Sequence, residues 1–386
     1  MARMSSHRFS HSPPSCPTRQ VLDSAEITLA DVLPSAAAAL GCPGFDDVLG
    51  LGTPSRIVCL LVDGLGYGAL TRSDPAWLTS AHIQPISSVL PTTTAVALTS
   101  LGTGLLPGMH GMVGASFVLP ETGQLLAPLH WGNEPLPEAV QVEPTIPEVM
   151  QRHGIACHTV GPIDYAHSGL TRASLRGPSY HGVREIDDYI TCLRDIQREP
   201  RPNLTYVYWP ELDRIGHARG VGEPEWMAGL DRVGRLISGV RSVLGADSLL
   251  LVTSDHGMVT CPPASRMDWK DLGDLHRDVV RLAGEPRCRL VYLQPACDPD
   301  DTARRWRERL SPNFDIMTRS QVRESGLMGA FEGFALERLG DLILLATGNA
   351  MLSCPDVDPR ISSLPGQHGS WTVEERQVPL AAFTQV

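Results

Sequence analysis

The chain has 386 residues, 42% of them hydrophobic, and a formal net charge of −11. That length supports one large domain with an insertion, or two domains. No basic block with interleaved aromatics occurs, which excludes a nucleic-acid polymer as partner, since phosphate-backbone affinity needs clustered Lys and Arg. A single nucleotide stays open as a substrate.

Lys270 is the only lysine, a compositional bias rather than a functional signal. No apolar run reaches the length of a membrane span. The nine cysteines are scattered and never spaced CxxC, which argues against a disulfide framework or a thiolate zinc site. The first twenty residues, "MARMSSHRFSHSPPSCPTRQ", lack an apolar h-region. The expected location is cytoplasmic.

Residues 1–24 are rich in Ser, Pro and His, and a disordered tail is expected there. The run "SRIVCLLVDG" is continuously apolar from Ile57 to Val62 and then stops at Asp63 and Gly64. Such a run suits a strand buried on both faces of a parallel sheet. The pattern recurs in "NLTYVYWPELD" and in "DSLLLVTSDHGM", each ending in acids. Helical stretches fall at Thr145 to Arg152, Val183 to Arg198 and Glu223 to Leu244. Alternating strands and helices predict an α/β fold around a mainly parallel, doubly wound sheet. From about residue 275 to 350 the pattern changes, and a small inserted α+β subdomain is expected within a domain spanning 25–386.

Open α/β sheets place their sites at the carboxyl ends of strands, so the acids there deserve scrutiny. Asp63 precedes Gly64, Gly66 and Gly68, but the spacing of "GLGYGAL" is wrong for a dinucleotide fingerprint. Asp213 and His217 in "ELDRIGH" lie four apart, on one face of a helical turn. Asp255 and His256 follow another buried strand, and His368 sits in the glycine turn "GQHGS". Taken one at a time, each is as well explained by a surface contact, a turn cap or a plain turn. Together they offer six oxygen and nitrogen donors with no thiolate, a set that suits two Zn²⁺ ions or Mn²⁺-like ions. Paired metals stabilise the attacking and leaving oxygens of a phosphoryl displacement.

The stretch "VLPTTTAVALTSLGTG" places Thr92, Thr93 and Thr94 side by side. With the strand-end acids, it resembles the alkaline phosphatase superfamily, and within it the nucleotide pyrophosphatase/phosphodiesterase branch. The family's metal Asp followed by Gly matches "LLVDGLG". Its P-T-x-T loop and following T-G-x-x-P-x-x-H-G match Pro91 through Gly111 at every spacing. Its E-x-D-x-x-G-H, D-H-G-M and final H-G match "PELDRIGH", "SDHGM" and "GQHGS", all in order across about residues 57–370.

The resemblance implies an alkaline-phosphatase-like sandwich around a mostly parallel sheet. It implies one divalent ion held by Asp213, His217 and His368, and a second by Asp63, Asp255 and His256. It selects Thr94 as nucleophile, forming a phosphothreonine intermediate, with Thr92 and Thr93 left as loop geometry and caps. The substrate would be a small phosphoester, such as a nucleotide derivative.

Two departures bear on selectivity. The branch's T-F-P-N after the nucleophile is T-A-V-A here, Thr94 to Ala97, and its phosphate-binding Asn falls at Ala115. Tyr67, Trp131, Tyr165 and Trp209 are the aromatic candidates for a base pocket, and His110 is expected either to have a turn role or to support the ligands from behind. A phosphomonoesterase or phosphonate hydrolase of the same superfamily is the alternative reading. A sulfatase lacks its C/S-x-P-x-R sequence here. A catalytically silent metal-binding protein is the reading from another class, and the retention of all six donors and the threonine argues against it.

Overall fold

The apolar run at Ile57 becomes the middle of a sheet because both of its faces are covered. In the computed structural model, which describes residues 26–199 and 202–384, it forms β1 (Arg56–Val62). Ile57, Cys59 and Leu61 enter one hydrophobic core, while Val58, Leu60 and Val62 enter another on the opposite face. Period-two alternation of an all-apolar strand into two cores accounts for the continuous run.

The other strands of this sheet are β2 (His82–Ser87), β3 (Ala156–Pro162), β4 (Ser179–Val183), β5 (Asn203–Trp209) and β6 (Ser248–Thr253). A second, antiparallel sheet contains β7 (Val279–Glu285), β8 (Cys288–Leu293), β9 (Phe314–Thr318) and β10 (Leu342–Ala346). The last strand, β11 (Gln377–Thr384), returns to the first sheet. The 7-stranded order is β2-β11-β6-β1-β5-β3-β4, and the 4-stranded order is β7-β8-β10-β9. Strands β6, β1, β5, β3 and β4 run parallel, and β11 is antiparallel to both β6 and β2. The structure thus has the mixed α/β architecture with a mostly parallel sheet that the sequence leads one to expect.

The helices are α1 (Thr94–Thr103), α2 (Ile146–Arg152), α3 (Ile186–Ile196), α4 (Glu211–Arg219), α5 (Pro224–Val243) and α6 (Pro299–Leu310). The helix α2 starts at a capping box in which Thr145 accepts from Glu148 N and Glu148 accepts from Thr145 N. In α5 the buried residues Trp226, Leu230, Val233, Leu236, Ile237 and Val240 recur at helical spacing and pack on one face of the first sheet. The wholly buried α1 packs on the other face, with Ala95, Val96, Ala97 and Leu101 in its core. A third core forms between the second sheet and α6, centred on Trp306, Leu310 and Leu344.

Residues 1–24, expected to be a disordered tail, lie outside the described residues. Among the described residues, no helix is long and apolar enough to cross a membrane.

The two sheets are tied by a buried ion pair. Arg287, in the tight β7–β8 turn, is wholly buried and makes a two-pronged contact with Glu375 at 2.7 and 2.8 Å. A third bond runs from Arg287 Nη1 to Ala350 O, 2.6 Å. Removing one partner of such a pair strands the other charge in a dry site. Arg287→Ala is therefore expected to lower unfolding free energy by about 3–5 kcal/mol, measured by urea denaturation.

Candidate functional site

The register of three adjacent strands brings the acids together. Val62 at the end of β1 lies opposite Trp209 of β5, and Leu61 lies opposite Thr253 of β6. Asp63, Asp213 and Asp255 follow within a few residues, so all three emerge at one carboxyl edge. Asp213 and His217 lie one turn apart on α4, as their spacing predicts, with His217 Nε2 3.5 Å from Asp213 Oδ1. His368 arrives from the turn before β11, and its Nε2 lies 3.1 Å from His217 Nε2. Thr94 opens α1, and its Oγ1 lies 3.1 Å from His256 Nε2. All six expected donors and the expected nucleophile thus share one site.

The imidazoles are oriented alike. His217 Nδ1 donates to Gly366 O at 2.8 Å, His256 Nδ1 to Gly257 O at 3.1 Å, and His368 Nδ1 to Thr92 O at 3.0 Å. A carbonyl can only accept, so each Nδ1 carries a proton, and Nε2 is the nitrogen each ring offers as a ligand atom. These Nε2 atoms turn toward carboxylates. His256 Nε2 is 3.6 Å from Asp63 Oδ1 and 3.4 Å from Asp255 Oδ2, and His368 Nε2 is 3.9 Å from Asp213 Oδ1. The His256 and His368 rings stack with centroids 3.8 Å apart.

Burial, then the nearby Asp255 and Asp213, push the Asp63 carboxyl well above the usual carboxylate range. Burial, then His256 and His217, hold the His368 imidazole well below its usual range. Asp63 Oδ1, Asp213 Oδ1 and Asp255 Oδ2 are buried with no hydrogen-bond partner. Unpaired buried carboxylate oxygens facing imidazole lone pairs are costly without a cation. The donor set therefore fits divalent metal. Asp213, His217 and His368 bring one ligand atom each within 4.8 Å of one another, and so do Asp63, Asp213 and His256. Asp213 belongs to both groups. Asp255 spends Oδ1 on the amides of Gly64 and His256, at 3.1 and 3.0 Å, which leaves Oδ2 free.

The three threonines have separate surroundings. Thr92 Oγ1 donates to Ser370 O at 2.7 Å and accepts from Gly369 N at 3.1 Å. Thr93 occupies the N-cap position of α1, yet its side chain caps nothing, contrary to the expected cap role. The buried Glu285 at the end of β7 comes near instead, and the Thr93 hydroxyl works to lower its carboxyl pKa against the effect of burial. The first α1 bonds begin at Val96 N and Ala97 N, both to Thr93 O, so the amides of Thr94 and Ala95 precede them. Ala115 offers no polar side chain. His110 has the turn role expected of it. Its Nδ1 accepts from Met112 N at 3.1 Å, its Nε2 lies 2.9 Å from Ser100 Oγ, and burial pulls its pKa down to about 3.

Sequence reasoning passed over two residues at this site. Tyr208, the penultimate residue of β5, donates its hydroxyl to Asp63 Oδ2 and so leaves Oδ1 facing the donor cluster. Its ring lies 6.1 Å from that of the half-exposed Tyr165, an aromatic candidate. Tyr208 could have been found from its place just upstream of the acids. Glu285 carried no local signal. Burial pushes its carboxyl well above the usual range, against the Thr93 hydrogen bond and Arg289. Trp209 and Trp131 belong to the cores, and Tyr67 opens a short helix at Tyr67–Ser73.

The fold is of the nucleotide-pyrophosphatase and alkaline-phosphatase kind. A family model described as type I phosphodiesterase / nucleotide pyrophosphatase matches residues 58–371, and the chain belongs to that family. An uncharacterised pyrophosphatase/phosphodiesterase of Schizosaccharomyces pombe is 26% identical over 257 residues, 60% of this chain and 51% of the relative. The chain thus spans about half the length of that curated relative. Murine ectonucleotide pyrophosphatase/phosphodiesterase 5 has a similar fold, with TM-score 0.67, 18% identity and coverage of 84% of this chain and 87% of the other. An inactive threonine-to-alanine variant of that protein is known in complex with AMP. Phosphonoacetate hydrolase from Sinorhizobium meliloti 1021, in complex with phosphonoformate, matches with TM-score 0.66, 18% identity and coverage of 86% and 91%.

Close approach of the strand-end loops depends on Gly64. Its φ is +77°, and an added Cβ would lie 2.9 Å from Asp213 Cα. The left-handed conformation alone costs a non-glycine residue about 1–2 kcal/mol. Gly64→Ala is expected to lower the thermal midpoint by several degrees, read by circular dichroism.

Proposed function

We propose that the protein is a two-metal phosphoric-ester hydrolase, a phosphodiesterase or nucleotide pyrophosphatase acting through a phosphothreonine at Thr94. The observation that carries this reading is the shared orientation of three imidazoles. Each is held by a main-chain carbonyl on Nδ1, and each turns Nε2 toward carboxylate oxygens beside the Thr94 hydroxyl. A metal-free structural role would not need three Nε2 atoms converging on otherwise unpartnered acids.

In this reading, Asp213, His217 and His368 hold one divalent ion, and Asp63, Asp255 and His256 hold the other, Zn²⁺ first and Mn²⁺ as the alternative. When bound, the ions supply Lewis-acid stabilisation of phosphoryl charge and lower the pKa of hydroxyl and water. Thr94 Oγ1 forms the bond to phosphorus as the bond to the leaving oxygen breaks. Water then cleaves the Thr94–phosphate ester and restores the hydroxyl. The N-terminus of α1 carries its free first-turn amides beside Thr94, where negative charge develops. Tyr208 keeps Asp63 turned toward the cluster. The neighbour whose threonine-to-alanine variant is inactive lends weight to a threonine nucleophile.

The substrate is a small phosphoester, and a nucleotide derivative is the leading candidate, since one neighbour binds AMP. The runner-up is phosphomonoester or phosphonate hydrolysis. It is favoured by Ala115, by T-A-V-A after the nucleophile, and by the likeness to a phosphonoacetate hydrolase. We also read the second sheet with α6 as an inserted subdomain of about residues 275–350 within a domain spanning 25–386. A cytoplasmic location fits the described cysteines, all of which are unpaired.

Zinc-loaded protein is expected to turn over bis-p-nitrophenyl phosphate or thymidine p-nitrophenyl phosphate faster than p-nitrophenyl phosphate. Equal or greater monoester turnover would overturn the diesterase reading. Thr94→Ala is expected to lose roughly three orders of magnitude or more in kcat, with both metals still bound by elemental analysis. Turnover at the wild-type rate would remove Thr94 as nucleophile.

A further inference from the structure

Glu285 stands at the end of β7, in the second sheet, yet its carboxylate lies under the catalytic loops. Its side chain is 8% exposed, and its Oε2 lies 3.6 Å from His368 Nδ1. Its Oε1 is buried without a partner.

The approach is built into the loop that carries His368. Gly369 has φ +120°, and an added Cβ there would lie 2.7 Å from Glu285 Oε1 and 2.8 Å from its Cδ. Only glycine leaves room for the carboxylate beside His368. The far side of the loop is clamped from the same turn. Arg287 holds Glu375, and Glu375 Oε1 accepts from Ser370 N at 3.0 Å. The β7–β8 turn therefore grips both ends of the segment from His368 to Ser370.

We propose that Glu285 is a positioning residue of the hydrolytic site, through which the second sheet sets His368. It faces the Nδ1 side of His368, whose proton Thr92 O already holds, and steadies the N–H that keeps Nε2 turned toward Asp213. The inference rests on the two-metal reading above.

The test compares full-length wild type, Glu285→Gln and Glu285→Ala. Zn²⁺ affinity is measured by competition with a chromogenic chelator, and the metal-free proteins are melted in parallel. Glu285→Ala is expected to weaken one of the two ions by about 10–100-fold and leave the other unchanged. It should also lower kcat while KM stays within about twofold, because His368 acts on the reacting groups rather than on substrate binding. Glu285→Gln keeps the volume and an oxygen facing His368, so its affinity and kcat should fall between the other two. Wild-type affinity and kcat in both variants, with only a lower melting point, would reduce Glu285 to a structural acid and overturn the proposal. A wild type that binds no Zn²⁺ at any concentration would overturn the two-metal reading itself, and this inference with it.

Discussion

The structure is organised around three carboxylates at the ends of neighbouring parallel strands. Asp63, Asp213 and Asp255 are brought close by backbone register, before any side-chain preference acts. Like charges this close, in a site this dry, oppose folding. The surrounding features read as responses to that constraint. Amides of Gly64 and His256 take Asp255 Oδ1, the Tyr208 hydroxyl takes Asp63 Oδ2, and three imidazoles bring their Nε2 atoms where a cation would complete the set. Stability and chemistry are drawn from the same cluster.

Glycine serves this crowding at a few places. Gly64 lets the turn after β1 pass the backbone of α4, and Gly366 has an added Cβ position 2.0 Å from Gly216 O. These glycines stand in "DGLG", "IGH" and "GQHG", beside the donors themselves. The motif glycines thus have a steric role as definite as the ligand roles proposed for their neighbours: they let three loops from distant parts of the chain approach to contact distance.

Much of this was legible in the sequence, and the reasons differ from element to element. β1, β5 and β6 announced themselves because strands buried on both faces must be apolar throughout, and the acids mark where the apolar run stops. The Asp213–His217 pair followed from helical spacing. Other parts were hidden. β2 and β11 carry Pro85 and Pro379, which sit opposite each other and break the expected strand signature. Thr93 looked like a cap because its neighbours and position fit one, yet its side chain makes no cap bond. Glu285 itself is ordinary in sequence, a single acid before a proline. Its importance comes from a contact across 83 residues, which no local pattern encodes.

The place of β11 has a consequence for how the protein is made. The last strand described fills an interior position of the sheet, between β2 and β6. Until residues 377–384 leave the ribosome, β6 has an open flank, and β2 has no neighbour to join it to the sheet. The loop with His368 arrives only just before them. A growing chain therefore carries Asp63 and Thr94 with unpaired strand edges exposed until β11 is made, which is a state prone to aggregation. Closure of the sheet and completion of the donor cluster become one event, tied to the emergence of residues 368–384.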